Sequence, residues 1–358
     1  MIPLEFQKWI NGGLQQFFSS KFTQFSKDDS RIPELISQIA DVTLRGGDRL
    51  RPYFCYLGYL AAGKKRKQDI LPILLALETF HTFALIHDDI MDGAELRRGG
   101  FTIHAYFTQN LRNSQLATSL AILAGDLCLV WAQELFDKLS SRTRFGISAI
   151  EKRMLKLVQH DKVIQTARQV FNDLREEVIS GQISDVWGMR GSSPASIRAM
   201  YGRKTGNYTV TKPLVLGALL GGGSHKLVER LTKYGKAVGL AFQLKDDILG
   251  VFGDETVTGK STLQDLEEGK WTLMVAETYR RASEKEKQLL LRYLDNREST
   301  AKELEWVKRQ IEVSGAKVEM EREMVQLINK AMMHIEPIVN ESKHSLERIA
   351  RFTIERKI

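Results

Sequence analysis

Residues 71–92 read LPILLALETFHTFALIHDDIMD, and the apolar side chains in this stretch recur at helical spacing. The predicted helix closes on Asp88, Asp89 and Asp92. Asp88 and Asp92 are four residues apart, so they stand one turn from each other on one face, where like charges repel. In apolar surroundings they also lose hydration, and the pair therefore asks for a cation. Carboxylate oxygens completed by water suit Mg²⁺, which usually takes one or two protein carboxylates and fills its other positions from substrate phosphates. A phosphate ester is the substrate such a pair implies.

A second acidic pair, Asp246-Asp247, lies in another apolar run, Ala241–Phe252. One such cluster reads equally well as a solvated acidic face. Two clusters in apolar surroundings, each followed by basic and glycine-rich residues, read as the two sides of a polyanion site. Arg97-Arg98-Gly99-Gly100 follows the first, and Gly259-Lys260 and Gly269-Lys270 follow the second. Arginine forks match phosphate oxygens bidentately, and lysine adds a compact point charge.

The 358 residues contain no Pro/Ser/Gly-rich linker, and a single domain spanning 1–358 is expected. With only seven prolines and long patterns of i, i+3, i+4 apolar spacing, the fold class is all-α. Leu116–Phe136 is one such pattern, and Met324, Ile328, Ala331 and Ile335 belong to another. No fixed-period repeat supports a solenoid. No run of about 18 consecutive apolar residues occurs, which argues against a transmembrane segment. The opening MIPLEFQKWINGG lacks the order of a signal peptide, and a cytoplasmic location is expected. Cys55 and Cys128 sit among apolar neighbours and read as buried free thiols. The net charge of +8 is spread along helices rich in glutamate, with no aromatic-interleaved basic motif, so nucleic acid is not an expected partner. The densest basic run, Lys64–Lys67, reads as a solvated loop.

Taken in order, these motifs resemble the trans-isoprenyl diphosphate synthases, the polyprenyl synthetase family, from about Gly46 to the C-terminus. The resemblance rests on HDDIMD (87–92) with Arg97-Arg98-Gly99, on FQLKDDILG (242–250) with Gly253-Asp254, on the stretch from Gly259-Lys260 to Gly269-Lys270, and on GQISD (181–185) and Lys204-Thr205 between them. It implies a helical bundle around a deep central cavity, in which the two aspartate motifs face each other. The implied chemistry is ionisation of an allylic prenyl diphosphate, attack by the double bond of isopentenyl diphosphate, and loss of a proton. The resemblance assigns Mg²⁺ to Asp88 and Asp92 on one side and Asp246 on the other, with Asp89 and Asp247 orienting them. Arg97, Lys204 and Lys260 would neutralise further diphosphate oxygens, Gln243 would reach them from the helix of the second motif, and Thr205 with the Lys204 carbonyl would face the developing cation. Lys260 and Lys270 would lie on a glycine-punctuated cover. Isopentenyl diphosphate would bind to Arg51, His81 and Arg98 at a metal-free site.

His81 also has an ordinary reading, since a histidine on an apolar helix is more often a hydrogen-bonded core residue. Lying seven positions before Asp88, it falls about two turns earlier on the same face. One position departs from the family pattern: Asp48 stands where a phosphate-binding lysine is expected, so either Arg49 compensates or the affinity is weakened. Arg351, Arg356 and Lys357 read as a solvated tail, with pocket closure as the other reading. Phe83 and Phe80, five and eight residues before Asp88, would form the wall or floor of the hydrocarbon tunnel beside the small Ala84. This arrangement is similar to short-chain geranylgeranyl diphosphate synthases of archaeal type, with farnesyl diphosphate the alternative product. A terpene cyclase and a non-catalytic subunit are rival readings. The first is opposed by Arg51, His81 and Arg98, the second by two intact motifs. The resemblance also implies a homodimer, with Leu116–Phe136 as an interface element.

Overall fold

The computed structural model describes residues 2–27, 29, 31–141, 150–253, 263–295 and 298–356. Its regular structure is helical apart from one hairpin, in which Leu96–Arg97 (β1) pairs antiparallel with Gly100–Phe101 (β2). The all-α expectation is met. Contacts divide the chain, Met1 aside, into two compact units: Ile2–Val170 with Leu216–Gly223, and Phe171–Val215 with Ser224–Ile358.

In the first unit, α1 (Leu4–Phe25), α2 (Ile32–Leu44), α3 (Leu50–Ala61), α4 (Leu71–Asp92), α5 (Ile103–Leu111) and α6 (Ser114–Ser141) follow one another. Pro72 opens α4, where its missing N–H costs no hydrogen bond, and Gly93 closes it in the left-handed region at φ 65°. Ile73, Leu74, Ala76, Leu77 and Phe80 on α4 have no exposed surface. A helix apolar around most of its circumference belongs in a core, and each such large side chain contributes roughly 1.5–3 kcal/mol by burial. α6 packs along α4 and buries Ala117, Ala121, Ala124, Cys128 and Ala132 completely. These small residues recur at helical spacing and let the two helices approach closely.

Both helices are long and apolar enough to span a membrane by length and composition alone, a test that the core helix of a soluble protein also passes. The apolar window of Lys67–Asp92 is 72% buried within the chain, as befits a core helix, against 39% for Ser114–Leu139. Leu116, Ile122, Leu123 and Val130 accordingly remain exposed on α6.

In the second unit, the residues of α7 (Ile150–Trp187) from Phe171 onward precede α8 (Pro194–Tyr201), whose N-terminus is capped by Ser193 accepting from the Ser196 N–H. α8 runs directly into a π-helical segment, Gly202–Thr211, and then into α9 (Lys212–Leu220). α10 (His225–Phe252), α11 (Gln264–Glu267), α12 (Leu273–Arg281), α13 (Glu284–Asp295), α14 (Ala301–Val313), α15 (Ala316–Ile335) and α16 (Ser342–Glu355) complete it. The π-helical segment lies tight against its neighbours. A Cβ at Gly239 of α10 would stand 2.6 Å from the Gly206 Cα, and one at Gly181 of α7 would stand 2.7 Å from the Lys204 nitrogen. Any larger residue at either position would push the segment, and Lys204-Thr205 with it, out of place. Wide helical turns of this kind are frequent at functional sites.

Candidate functional site

The last turn of α4 presents its three aspartates in three environments. Asp88 is half-buried, Asp92 is exposed, and Asp89 is 2% exposed. Asp89 is held by Arg97, whose Nε donates to both carboxylate oxygens at 2.7 and 2.9 Å while a terminal nitrogen lies 2.6 Å from Oδ1. Burial nevertheless raises the Asp89 pKa, against the lowering effect of Arg97. The hairpin supplies that arginine. Arg98 and Gly99 both have positive φ, at 50° and 76°, as a tight two-residue hairpin turn demands. Arg45 of the α2–α3 connection fixes the hairpin by donating to the carbonyls of Arg97 (3.0 Å) and Phe101 (3.2 Å).

Beside this turn the chain gathers cations. The Arg98 guanidinium lies over Gly47, where a Cβ would approach to 2.7 Å, and donates to the Arg45 carbonyl at 3.3 Å. Gly47 itself has φ 91°, so this approach depends on glycine twice over. Burial and then the charges of Arg49, Arg97 and Arg51 push the Arg98 pKa down, with Glu78 opposing them. His81 lies among the same residues. Its pKa is held well below 6.5, first by burial and then by Arg51, Arg98, Arg97 and Arg49, so the imidazole is neutral near pH 7.

This has a measurable consequence for stability. A histidine whose folded pKa is depressed binds fewer protons in the native state than in the unfolded chain, so its contribution is lost as pH falls below 6.5 towards the folded value. His81→Asn is expected to flatten the pH dependence of unfolding free energy between about pH 7 and pH 5, by up to about 1.4 kcal/mol per pH unit. Denaturant titrations of both proteins across that range measure it. Parallel curves would contradict the assignment.

Arg49 cannot offset Asp48. Asp48 is exposed, whereas Arg49 is 4% exposed and committed to the fold. It donates to Glu78 at 2.8 Å, to Asn11 Oδ1 at 2.7 Å and to the Thr43 carbonyl at 2.8 Å. Of the two alternatives the sequence left open, this geometry opposes compensation by Arg49.

In the second unit, Asp246 and Asp247 leave α10 on different sides. Asp247 is 4% exposed and accepts from the Tyr201 hydroxyl and from Gln243 Nε2, the latter at 3.0 Å. Burial pushes its pKa up to about 7, with the nearby Asp265 and Asp246 adding to the rise and the two hydrogen bonds opposing it. The Tyr201 oxygen in turn accepts from the Leu273 N–H at the start of α12, at 3.0 Å. Asp246 pairs with Arg356 just past α16, whose side chain is 9% exposed, so the solvated-tail reading of this arginine is wrong. Arg351 is exposed, and Lys357 lies outside the described residues.

Lys204 pairs with Asp185 of the GQISD stretch, and Thr205 beside it is half-buried. Lys270 is engaged by Asp265 at 2.9 Å and Glu268 at 2.7 Å. Lys260 lies outside the described residues. Phe80 is fully buried and Phe83 nearly so; their rings stack at 5.3 Å, and Phe83 meets the His87 ring edge-on at 4.7 Å. Ala84 is half-buried. Sequence reasoning missed the roles of Tyr201, Glu78, Asn11 and Arg45, each of which acts on a motif residue or its neighbour from a distant part of the chain.

The chain matches the polyprenyl synthetase family model over residues 33–311. It is 35% identical over 276 residues to a short chain isoprenyl diphosphate synthase of Methanothermobacter thermautotrophicus, covering 74% of this chain and 76% of that protein. It is 28% identical to a geranylgeranyl diphosphate synthase of Saccharolobus solfataricus, covering 87% of each. Among solved structures, it resembles a geranylgeranyl pyrophosphate synthase from Corynebacterium glutamicum complexed with isoprenyl diphosphate and magnesium. The TM-score there is 0.84 at 29% identity, over 98% of this chain and 99% of that one. The chain belongs to the polyprenyl synthetase family, and it is an enzyme, a prenyltransferase.

Proposed function

We propose that the protein is a Mg²⁺-dependent synthase, a single polyprenyl synthetase domain, that condenses isopentenyl diphosphate head-to-tail with an allylic diphosphate to give a short all-trans prenyl diphosphate, geranylgeranyl diphosphate first among them. The observation that carries this reading is the crowding of Arg51, Arg97 and Arg98 around a neutral His81 beside the aspartate turn of α4. Burial and the neighbouring arginines push the proton affinities of Arg98 and His81 down, a polyanion relieves such crowding, and a diphosphate is the polyanion of the family's chemistry.

The donor set suits Mg²⁺. Among the described residues no group of three or more His, Cys, Asp or Glu converges as a ready-made cage. That fits an ion which takes one or two carboxylates and completes its octahedron from water and phosphate. Asp88 and Asp92 on α4 are carboxylates that would hold such an ion, as is Asp246 on α10, and a bound ion would act as a Lewis acid on the departing diphosphate. Asp89, locked by Arg97, and Asp247, locked by Tyr201 and Gln243, keep their helix turns in register without offering a free oxygen pair. Lys204 adds charge to the allylic diphosphate by exchanging Asp185 for it, and the oxygen of Thr205 steadies the allylic cation. Lys260 and Lys270 add positive charge for the diphosphate oxygens, Lys270 by exchanging Asp265 and Glu268 for them. Arg51, His81 and Arg98 hold isopentenyl diphosphate, with the affinity weakened by Asp48. A terpene cyclase has no use for that second diphosphate site. The apolar stripe Leu116, Ile122, Leu123 and Val130 on α6 supports a homodimer.

Incubating the purified chain alone with Mg²⁺, labelled isopentenyl diphosphate and dimethylallyl, geranyl or farnesyl diphosphate tests the reading. Elongation of a primer is the expected result, and ionisation or cyclisation of a primer without consumption of isopentenyl diphosphate would overturn it. Product length tests the floor. Phe83→Ala is expected to lengthen the main product by at least one isoprene unit, because it removes one ring of the Phe80–Phe83 stack. Chromatography of the dephosphorylated alcohols reads this directly. An unchanged product would move the floor elsewhere, and farnesyl diphosphate as the wild-type end product would support the alternative.

A further inference from the structure

The second aspartate motif carries its own counter-cation. Arg356 follows the last turn of α16 in extended backbone (φ −61°, ψ 147°) and directs its guanidinium back onto α10. There it donates to the Asp246 carboxylate and, at 2.9 Å, to the Phe242 carbonyl, while its plane lies 3.8 Å over the centre of the Phe242 ring. Its Nε is buried with no hydrogen-bond partner, so the guanidinium is held by only part of its donor set. The carboxylate it covers is one of two, with that of Asp265, whose charge acts on Asp247, and Lys245 and Lys317 are cations in the same neighbourhood.

We propose that Arg356 is a displaceable latch: it neutralises Asp246 in the unloaded enzyme and leaves when a divalent cation with diphosphate takes that carboxylate. This rests on the reading of Asp246 as a metal-binding residue. A guanidinium and a divalent ion cannot share one carboxylate oxygen at contact distance, because two cations a few ångströms apart in a partly desolvated place repel strongly. Loading the site therefore breaks the ion pair, the Phe242 hydrogen bond and the ring contact together. An unpaired Nε lowers the cost of that release, since one donor has no bond to lose. Metal binding is weakened by the cost of release, and the C-terminal turn of α16 reports on occupancy.

The probe is Mn²⁺, followed by the electron paramagnetic resonance signal of the free ion with the full-length protein and no substrate. Arg356→Ala is expected to tighten Mn²⁺ binding by at least about fivefold, the worth of a modest, partly buried ion pair, and Arg356→Lys to lie between it and wild type. Unchanged or weaker binding in Arg356→Ala would make the pair an ordinary structural contact and overturn the proposal. Hydrogen exchange on the wild-type protein gives a second test that needs no variant. Amides of Phe352–Arg356 should exchange faster when Mn²⁺ and inorganic diphosphate are added together, and slower exchange would overturn the latch. Asp246→Asn separates the two readings. If it loses a Mn²⁺ site while Arg356→Ala gains nothing, only the latch fails; if Mn²⁺ binding is unaffected by Asp246→Asn, the assignment of Asp246 to metal fails with it.

Discussion

Asp88→Ala is expected to abolish prenyl transfer at saturating Mg²⁺ while leaving the fold intact. The loss should reach at least about 10³-fold in kcat/KM, which corresponds to about 4 kcal/mol of barrier, because one of the carboxylates proposed to anchor the ion on α4 is gone. Stability should not fall with it. Asp88 is half-buried and its charge is one cause of the raised pKa of Asp89, so its removal relieves repulsion on the neighbouring Asp89–Arg97 pair. Asp89→Ala makes the useful contrast, since it strands a partly buried Arg97 and should cost stability as well as rate. Steady-state kinetics alongside thermal melts distinguish the two. Activity of Asp88→Ala within about tenfold of wild type, roughly 1.4 kcal/mol, would contradict the metal assignment.

The contrast between these neighbours marks what could be read along the chain and what could not. α4 was legible because apolar residues on every side and acids in its last turn are local patterns, and the same holds for the apolar runs that became α6 and α10. The candidate residues themselves were legible as motif letters. Their states were not. That Asp89 is locked while Asp92 is exposed depends on a hairpin folding back through two positive-φ residues. Asp247 owes its setting to Tyr201, which is 46 residues away in sequence, and Asp246 meets Arg356 at a separation of 110. Such pairs obey no spacing rule, since only the packing of helices brings them together. The π-helical turn at Gly202–Thr211 is a further case: its two glycines, three threonines and asparagine mark a poor helix former, but not a wide turn, and it is the close approach of Gly181 and Gly239 that gives it room.

Arg49 shows the same limit most sharply, and it carries the largest expected effect on stability. Read as a letter beside Asp48, it looks like a substitute cation for a diphosphate. In the fold it is a left-handed residue at φ 57° whose guanidinium is sealed against Glu78, with side-chain exposures of 2% and 3%. Removing one partner of such a pair leaves an uncompensated charge where water cannot reach it, so Glu78→Ala should destabilise the protein by about 3–5 kcal/mol. Arg49→Ala should cost a similar amount, and Arg49→Met combined with Glu78→Leu should recover much of it, because the double change leaves no stranded charge. Denaturant midpoints of the three variants measure this. The alternative, that Arg49 serves isopentenyl diphosphate, has the opposite signature: Glu78→Ala would then cost under about 1 kcal/mol and change the Michaelis constant for isopentenyl diphosphate instead. A large stability loss with the double variant rescued would place Arg49 in the framework beneath the proposed diphosphate site, with Asp48 as an uncompensated anion at its rim.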